Sequence, residues 1–219
     1  NQQQRIPELL QALDDGEAVA LISDAGLPGI SDPGEELVAA TRAAGRTVIC
    51  IPGPCAATTA LVSSGLPSGR FCFEGFLPAK GRERQQRLAA IGQEERTSVL
   101  YEAPHRLLQL LKELIEHCGA ERPVQVAREL TKRHEQHVGP TLAAALQHFS
   151  TCKPQGECTV VLGGAPASEP EAWNADALRA QLQQLQAGGL SASDAARELA
   201  SRSGHSRREL YALLHSAAD

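Results

Sequence analysis

Apolar residues form two compact runs early in the chain, with helix-spaced apolar positions before, between and after them. Residues 18–22 and 47–51 are the compact runs, and each ends in a loop of glycine, proline and small residues. Such runs predict buried strands that end at the carboxyl edge of a sheet. Residues 6–15, 35–44 and 56–64 carry the helical spacing, so the alternation predicts a parallel sheet with right-handed crossovers.

From residue 71 the pattern changes to an aromatic strand, F-C-F-E-G-F-L, followed by a basic helix. Further strands are predicted at residues 97–101, 124–128, 135–138 and 158–162, and helices at 107–117 and 141–149. This order of elements predicts a second, mixed α/β domain, with the boundary between Gly65 and Phe76.

Beyond a linker at residues 166–170, three helical patterns are predicted at 175–187, 193–203 and 206–216. Ser191 or Ser193 is expected to cap the middle helix. The predicted domains are therefore 1–70, 71–165 and 171–219. The tail is interpreted either as a helix-turn-helix that contacts nucleic acid or as short amphipathic helices that close a core.

Composition narrows the class of protein. The chain has 219 residues, 42% of them apolar, but no apolar stretch approaches the roughly 20 residues of a membrane helix. No secretion signal is visible, so a cytoplasmic protein without a membrane partner is expected. The net charge of -5 argues against a protein that coats nucleic acid non-specifically, and no DNA partner is expected. Local basic patches could still bind RNA. The six cysteines form no C-x-x-C pair, so neither metal nor disulfides are predicted.

The two loops after the compact runs are the candidate functional site. The first reads S-D-A-G-L-P-G-I-S-D-P-G and the second P-G-P-C-A-A-T-T-A, so both are rich in small residues that let a ligand approach the backbone. Because ligands in open α/β sheets bind at this edge, the loops are expected to share one crevice. Asp24 could accept hydrogen bonds from a ribose or an amine, or cap its own turn. Cys55 lacks a basic neighbour in sequence and is expected to matter through its backbone.

Five blocks occur in a fixed order: the two loops, then F-E-G-F-L-P, Y-E-A-P-H-R and A-R-E-L-T-K. On these blocks the chain resembles the bacterial 16S ribosomal RNA ribose 2′-O-methyltransferases of the tetrapyrrole methylase superfamily. The resemblance covers residues 6–162 firmly and the tail more loosely. It implies a two-domain α/β fold, with a parallel-sheet N-terminal domain, a mixed second domain and a helical tail.

The resemblance also implies S-adenosylmethionine in the cleft between the two domains, a homodimer, and a cytidine ribose of the small subunit as methyl acceptor. By motif, the cofactor-binding residues are Asp24, Gly26, Leu27, Cys55, Ala56, Tyr101 and Ala127. Family members open with a strand and a glycine-proline loop, then a second strand with a D-T-R stretch, and neither precedes Asn1. Unless these segments precede the sequence given, part of the cofactor pocket and the substrate cleft is expected to be lacking, which would leave little activity.

Methyl transfer to a ribose hydroxyl needs alignment and assistance in removing a proton. The candidate bases are Glu102, Glu129 and Lys132, and the residues alone do not choose among them. RNA phosphates could be contacted by basic residues, which could equally form surface ion pairs. These residues are Lys80, Arg82, Arg84, Arg106, Arg128, Arg133, Arg207 and Arg208.

Three functions fit these patterns. The first is methylation of a ribosomal RNA ribose, which the basic segments after Pro78 and Arg128 favour. The second is methylation of a tetrapyrrole carbon, since fold alone does not determine substrate. The third is an RNA-binding or assembly module without catalysis, which is compatible with the expected loss of an N-terminal segment.

Overall fold

The computed structural model describes residues 2–166 and 173–215. The chain divides into two compact units, Asn1–Ala165 and Pro166–Asp219. Across the described residues, each helix is too short or too polar to span a bilayer.

A five-stranded sheet forms the centre of the first unit. Its strands are β1 (Phe71–Phe76), β2 (Thr97–Glu102), β3 (Val124–Arg128), β4 (Gln136–Val138) and β5 (Cys158–Leu162). Their order in the sheet is β1-β2-β5-β3-β4, with β1 parallel to β2 and the other neighbours antiparallel. The predicted mixed α/β architecture of this region is confirmed.

Helices pack on both faces of the sheet. The first unit contains helices α1 (Gln2–Asp14), α2 (Glu35–Ala43), α3 (Ala56–Ser64), α4 (Arg82–Gln93), α5 (Leu107–Cys118) and α6 (Leu142–Thr151). Helices α1 and α2 contact each other, whereas the sheet is covered by helices that follow them in the chain. On α5, Leu107, Leu110, Leu111 and Leu114 recur at helical spacing and are fully buried in the main core with Leu88 of α4. Helix α3 packs on the other face, where Ala60 meets Val99 and Val161. The sheet is therefore buried on both sides at its centre.

The two strands expected at residues 18–22 and 47–51 are absent from the described part of the chain, and the parallel sheet expected there is wrong. Both runs lie in loops, and Ile22 and Ile49 are 85% and 78% exposed. A strand is stable only when its backbone groups pair with a neighbouring strand, and no described segment pairs with either run. Apolar composition alone was therefore insufficient to make these runs strands.

The second unit contains helices α7 (Ala175–Ala187), α8 (Ala192–Ser203) and α9 (Arg207–His215). They bury a core of their own that includes Leu182, Leu199 and Leu210. Of the two expected caps, Ser191 is confirmed, because its side chain accepts a hydrogen bond from Asp194 N. The last residue of the predicted third helix, Ser216, lies outside the described residues. The predicted domain boundary at residue 70, within the first unit, stays a prediction.

Candidate functional site

The two candidate loops meet. The backbone N–H of Leu27 donates to the carbonyl of Pro54 at 2.9 Å and joins them directly. The first loop is closed on itself, because the Ser23 hydroxyl donates to the Asp32 carboxylate at 2.7 Å. The expectation that residues around Asp24 and Cys55 share one crevice is confirmed, since both line the same cavity.

Gly26 allows this close approach of the loops. Its φ is +78°, a left-handed conformation that residues with a side chain rarely adopt. A Cβ at this position would lie 3.4 Å from the Pro54 carbonyl oxygen, at the short limit of ordinary van der Waals contact. The left-handed backbone conformation is therefore what favours glycine here.

Strand register brings the opposite side of the cavity together. Tyr101 on β2 lies opposite Thr159 on β5, and Thr159 lies opposite Ala127 on β3. These three residues form one row across the sheet and all line the cavity. The Tyr101 hydroxyl accepts a hydrogen bond from Ala57 N at 3.0 Å, which connects the row to the start of α3.

The Cys55 thiol lies at the start of α3, among hydrogen-bond donors. Burial acts to raise its pKa, but hydrogen bonds with the backbone at Thr58 and Ala57 and with the Tyr101 hydroxyl outweigh burial and leave the pKa below its ordinary value. For Tyr101, burial and the nearby Cys55 raise the pKa to about 12. The phenol therefore stays protonated at neutral pH.

The loop after β3 places two charged side chains at the cavity. The Lys132 ammonium donates to the Glu129 carboxylate at 3.1 Å, and both residues line the cavity. The carboxylate lies over Gly156, where any Cβ would overlap it. Glu129 is thus held in place by an ion pair on one side and by bare backbone on the other.

Backbone strain is concentrated around the same cavity. Among the described residues, the non-glycine residues with positive φ are Ser31 (57°), Glu129 (52°) and Thr131 (65°), and each lines the cavity. Thr131 is β-branched, so its conformation is especially unfavourable. Strain of this kind costs about 1–3 kcal/mol per residue and clusters at functional sites.

The cavity has a volume of about 630 Å³, within the usual range for small-molecule sites. Every predicted cofactor-binding residue lines it: Asp24, Gly26, Leu27, Cys55, Ala56, Tyr101 and Ala127. Of the three candidate bases, Glu129 and Lys132 line it as well. The structure therefore brings these nine residues together, while their roles stay predictions.

Glu102 lies elsewhere, and its expected role as a base is corrected. Successive residues of a strand point to opposite faces, so Glu102 faces away from the side that Tyr101 occupies. It is fully buried, and one carboxylate oxygen accepts from Ala103 N and pairs with Arg106 at 2.6 Å. A carboxylate enclosed in this way cannot reach a substrate in the cavity.

Arg84 is also corrected, because it is buried and not available to RNA. Only 2% of it is exposed, and its guanidinium forms a fork with the Glu113 carboxylate, with contacts of 2.5 and 3.1 Å to one oxygen. A further nitrogen donates to the Pro78 carbonyl at 2.9 Å. Arg84 therefore holds α4 to α5.

The other residues predicted to contact RNA differ in whether their side chains already bind a partner within the protein. Arg106 pairs with Glu102, and Arg128 donates to Gln136 and to the Gln155 carbonyl. Five of the predicted contacts are exposed and have no carboxylate partner among the described residues: Lys80, Arg82 and Arg133 in the first unit, and Arg207 and Arg208 in the second.

Several cavity residues were not identified from the sequence. They include Ser31, Asp32, Phe76, Thr131, Glu157 and Thr159. Thr159 lies within an apolar run, where it is indistinguishable from a packing residue until the register is known. Phe76 had a visible signal, since F-E-G-F places a glycine between two aromatic residues and predicts an interrupted strand.

The fold and the cavity define an α/β protein with a cavity of small-molecule size between two loops of small residues and a row of strand residues. The family model for tetrapyrrole (corrin/porphyrin) methylases matches residues 1–146. A protein of Synechocystis sp. named ribosomal RNA small subunit methyltransferase I is 50% identical over 213 residues, which are 97% of this chain and 76% of the relative. A Mycobacterium bovis protein of the same name is 45% identical over 94% of this chain and 71% of its own length. The chain belongs to the tetrapyrrole methylase family, in the branch that carries this name.

Solved structures agree on the fold. The methyltransferase CobJ superposes with a TM-score of 0.58 at 22% identity, over 75% of this chain and 72% of that one. Uroporphyrin-III C-methyltransferase from Thermus thermophilus, in complex with S-adenosyl homocysteine, gives 0.51 at 19% identity, over 74% of each chain. At these identities the likeness concerns the fold alone.

Proposed function

We propose that this protein transfers a methyl group from S-adenosylmethionine to the 2′-hydroxyl of a cytidine ribose in 16S ribosomal RNA. The observation that carries the proposal is the single cavity in which the two small-residue loops face the Glu129–Lys132 pair. The names of the relatives support RNA as the acceptor. The assembled small subunit is the proposed substrate, and a cytoplasmic homodimer the proposed form.

The cavity suits this cofactor in size and chemistry. Its volume of about 630 Å³ accommodates a nucleoside with an amino-acid arm. Gly26 and Ala56 leave backbone groups open to a ligand, as in other nucleotide-binding loops. The Asp24 carboxylate is exposed and has no hydrogen-bond or ion-pair partner within residues 2–166 and 173–215, so it can accept hydrogen bonds from a ribose or an ammonium group.

When bound, S-adenosylmethionine supplies an electrophilic methyl group on a sulfonium. The protein has to orient the acceptor hydroxyl and accept its proton. We assign the proton to the Glu129 carboxylate, because an ammonium has no free lone pair and Glu102 is enclosed on the other face of the sheet. Lys132 then orients the carboxylate through the 3.1 Å contact and is 64% exposed toward solvent, where a phosphate can approach.

Basic side chains without carboxylate partners supply the proposed RNA contacts. Lys80, Arg82 and Arg133 are exposed in the first unit, and Arg207 and Arg208 in the second. Such contacts give sequence-independent affinity that falls with salt.

The proposed cofactor domain is residues 1–70, and the second domain is residues 71–165.

The function is tested by incubating the protein with methyl-labelled S-adenosylmethionine and one of three acceptors: small ribosomal subunits, naked 16S RNA or uroporphyrinogen. We expect label in the subunits, at a ribose. Glu129→Gln should lower kcat about 100-fold or more, the usual contribution of a positioned base, and leave cofactor affinity by calorimetry unchanged.

The matched control is Glu116→Gln, which alters an exposed carboxylate on α5 away from the cavity. It should behave like the wild type. Label in the tetrapyrrole and not in RNA would overturn the acceptor, whereas full activity of Glu129→Gln would remove Glu129 from its role and leave the acceptor intact.

A further inference from the structure

An aromatic cluster lies at the end of β1. The Phe73 ring meets Tyr101 edge-on at a centroid distance of 5.2 Å, and the Phe76 ring meets it at 5.6 Å with an interplanar angle of 57°. The chain has four phenylalanines and two tyrosines in all, so half of these six rings meet at this one place. Such clustering in an aromatic-poor chain requires a local explanation.

A β-bulge creates the cluster. In a regular strand, residues 73 and 76 would point to opposite faces, because side chains alternate with a period of two. Here the register passes from Phe73 opposite Val99 to Gly75 opposite Leu100, so Glu74 is the extra residue. Gly75 has a φ of +59°, which permits the irregularity. The bulge redirects Phe76 to the side on which Phe73 already contacts Tyr101.

The redirected ring is not buried by the fold. Phe76 remains 42% exposed and lines the cavity, whereas Phe73, which is 40% exposed, does not line it. An aromatic side chain left open to water at a cavity is a surface for a planar apolar ligand. Bulges are common beside active sites for the same purpose of aiming a side chain.

The segment after the ring carries cations. Lys80 and Arg82 follow Phe76 within six residues, are exposed, and have no carboxylate partner in the described stretches. A stacking ring followed by free cations is the arrangement by which proteins hold single-stranded nucleic acid, with the base on the ring and the phosphates on the cations.

The cofactor adenine is the alternative ligand for the ring. The proposed cofactor loops, however, are linked to the sheet by the Tyr101 hydroxyl at Ala57, whereas Phe76 leads into the segment that bears Lys80 and Arg82. Phosphates flank the acceptor nucleotide, and S-adenosylmethionine has none. Charge complementarity therefore favours the RNA base.

We propose that Phe76 is the platform on which the base of the acceptor nucleotide stacks, with Lys80 and Arg82 contacting the adjacent phosphates. The inference rests on the proposed function and adds a substrate subsite to it. Sequence-specific recognition of RNA commonly uses unstacked bases on aromatic rings. Stacking would hold the ribose in the cavity that the Glu129 carboxylate also lines.

The test measures the KM for small ribosomal subunits at saturating cofactor, together with cofactor affinity by calorimetry. Phe76→Leu keeps an apolar contact with Tyr101 but removes the stacking face. We expect the KM for the subunits to rise about tenfold, consistent with the loss of one base–aromatic stack. The cofactor affinity of Phe76→Leu should stay within about twofold of the wild type. Phe76→Tyr, which keeps an aromatic ring, should have the wild-type KM for the subunits.

Phe73→Leu is the matched control, since it removes an equally exposed ring that touches Tyr101 outside the cavity. It should leave the KM unchanged. Equal effects of the two leucine variants would reduce Phe76 to a packing residue, and weaker cofactor binding by Phe76→Leu with an unchanged KM would assign the ring to the adenine. If the wild type methylates no RNA, the proposed function itself fails. If the wild type methylates RNA and Phe76→Leu has the same KM for the subunits, only the proposed stacking role of Phe76 is refuted.

Discussion

The two sides of the cavity are built differently. The sheet side, from Phe76, Tyr101, Ala127 and the loop to Lys132, belongs to paired strands or directly follows them, and Ala127 is 1% exposed. The loop side, residues 21–33 and 54–59, has no strand pairing among the described residues, and its Ile22 is 85% exposed. The two sides are joined through the contact between Tyr101 and Ala57.

This difference in strand pairing suits the two sides of the cavity to different roles. The sheet side carries Glu129 and Phe76, to which we assign proton transfer and base stacking, and catalytic geometry tolerates little displacement. The loop side offers small residues and backbone groups, and segments with few buried contacts open at low free-energy cost. Substitutions behind the sheet side should therefore affect folding, whereas those between the two sides should affect folding and cofactor binding together.

The largest effect is expected from Arg84→Ala, behind the sheet side. Removing the guanidinium deprives Glu113 of its two-pronged contact with Arg84 and leaves Arg106 as the remaining cation beside the fully buried Glu102. Breaking a buried ion pair by removing one partner costs about 3–5 kcal/mol. Urea denaturation should show this loss as a lower midpoint with an unchanged slope.

Arg82→Ala is the control for that variant, because Arg82 begins the same helix but is exposed and has no partner in the described stretches. Its stability should stay within about 0.5 kcal/mol of the wild type. An equal loss in both variants would mean that α4 depends on its arginines in general and not on the buried fork.

A smaller effect is expected where the two sides meet. Tyr101→Phe removes the oxygen that accepts from Ala57 N, a donor on a residue that is 3% exposed. A buried donor left without a partner costs about 1–3 kcal/mol. The variant should lose stability in this range and also bind S-adenosylmethionine more weakly in calorimetry, because the start of α3 lines the cavity.

Thr58→Ala serves as the comparison, since the Thr58 hydroxyl donates to the Cys55 carbonyl within the same helix start and does not reach the sheet. It should weaken cofactor binding less than Tyr101→Phe. Identical losses of affinity would show that the order of α3, and not its link to the sheet, controls the loop side.

Sequence patterns predicted the elements that local periodicity determines. Helix α3, strand β3 and helix α7 begin and end at the predicted residues, because each pattern is compact and bounded by glycine, proline or a cap. The prediction of strands at 18–22 and 47–51 was wrong, because a strand needs a hydrogen-bonding partner from elsewhere in the chain and local sequence does not show whether one exists.

The candidate site was predictable to a similar degree. The small-residue loops were correctly predicted to share one crevice, since the residues named on them line one cavity. The sequence could not separate Tyr101 from Glu102, although they are neighbours, because only the register shows which face of β2 each occupies. Arg84 looked like any other cation of a basic helix until its partner on α5 was known.

The smallest expected effect is a dependence of stability on pH through the same buried fork. Burial acts to raise the pKa of Glu113, but its hydrogen bonds with Arg84 outweigh burial and hold the pKa below the ordinary value of 4.5. A carboxyl group with a lowered pKa in the folded state stabilises the fold above the unfolded value, and this contribution disappears as the pH falls through the folded value. The stability difference between the wild type and Glu113→Gln should therefore be largest above pH 4.5 and shrink below it. Urea midpoints measured across this range should show the change, and in an Arg84→Ala background the same comparison should be flat, because the groups are coupled through their contact. A persistent slope in that background would assign the pH dependence to other neighbours of Glu113.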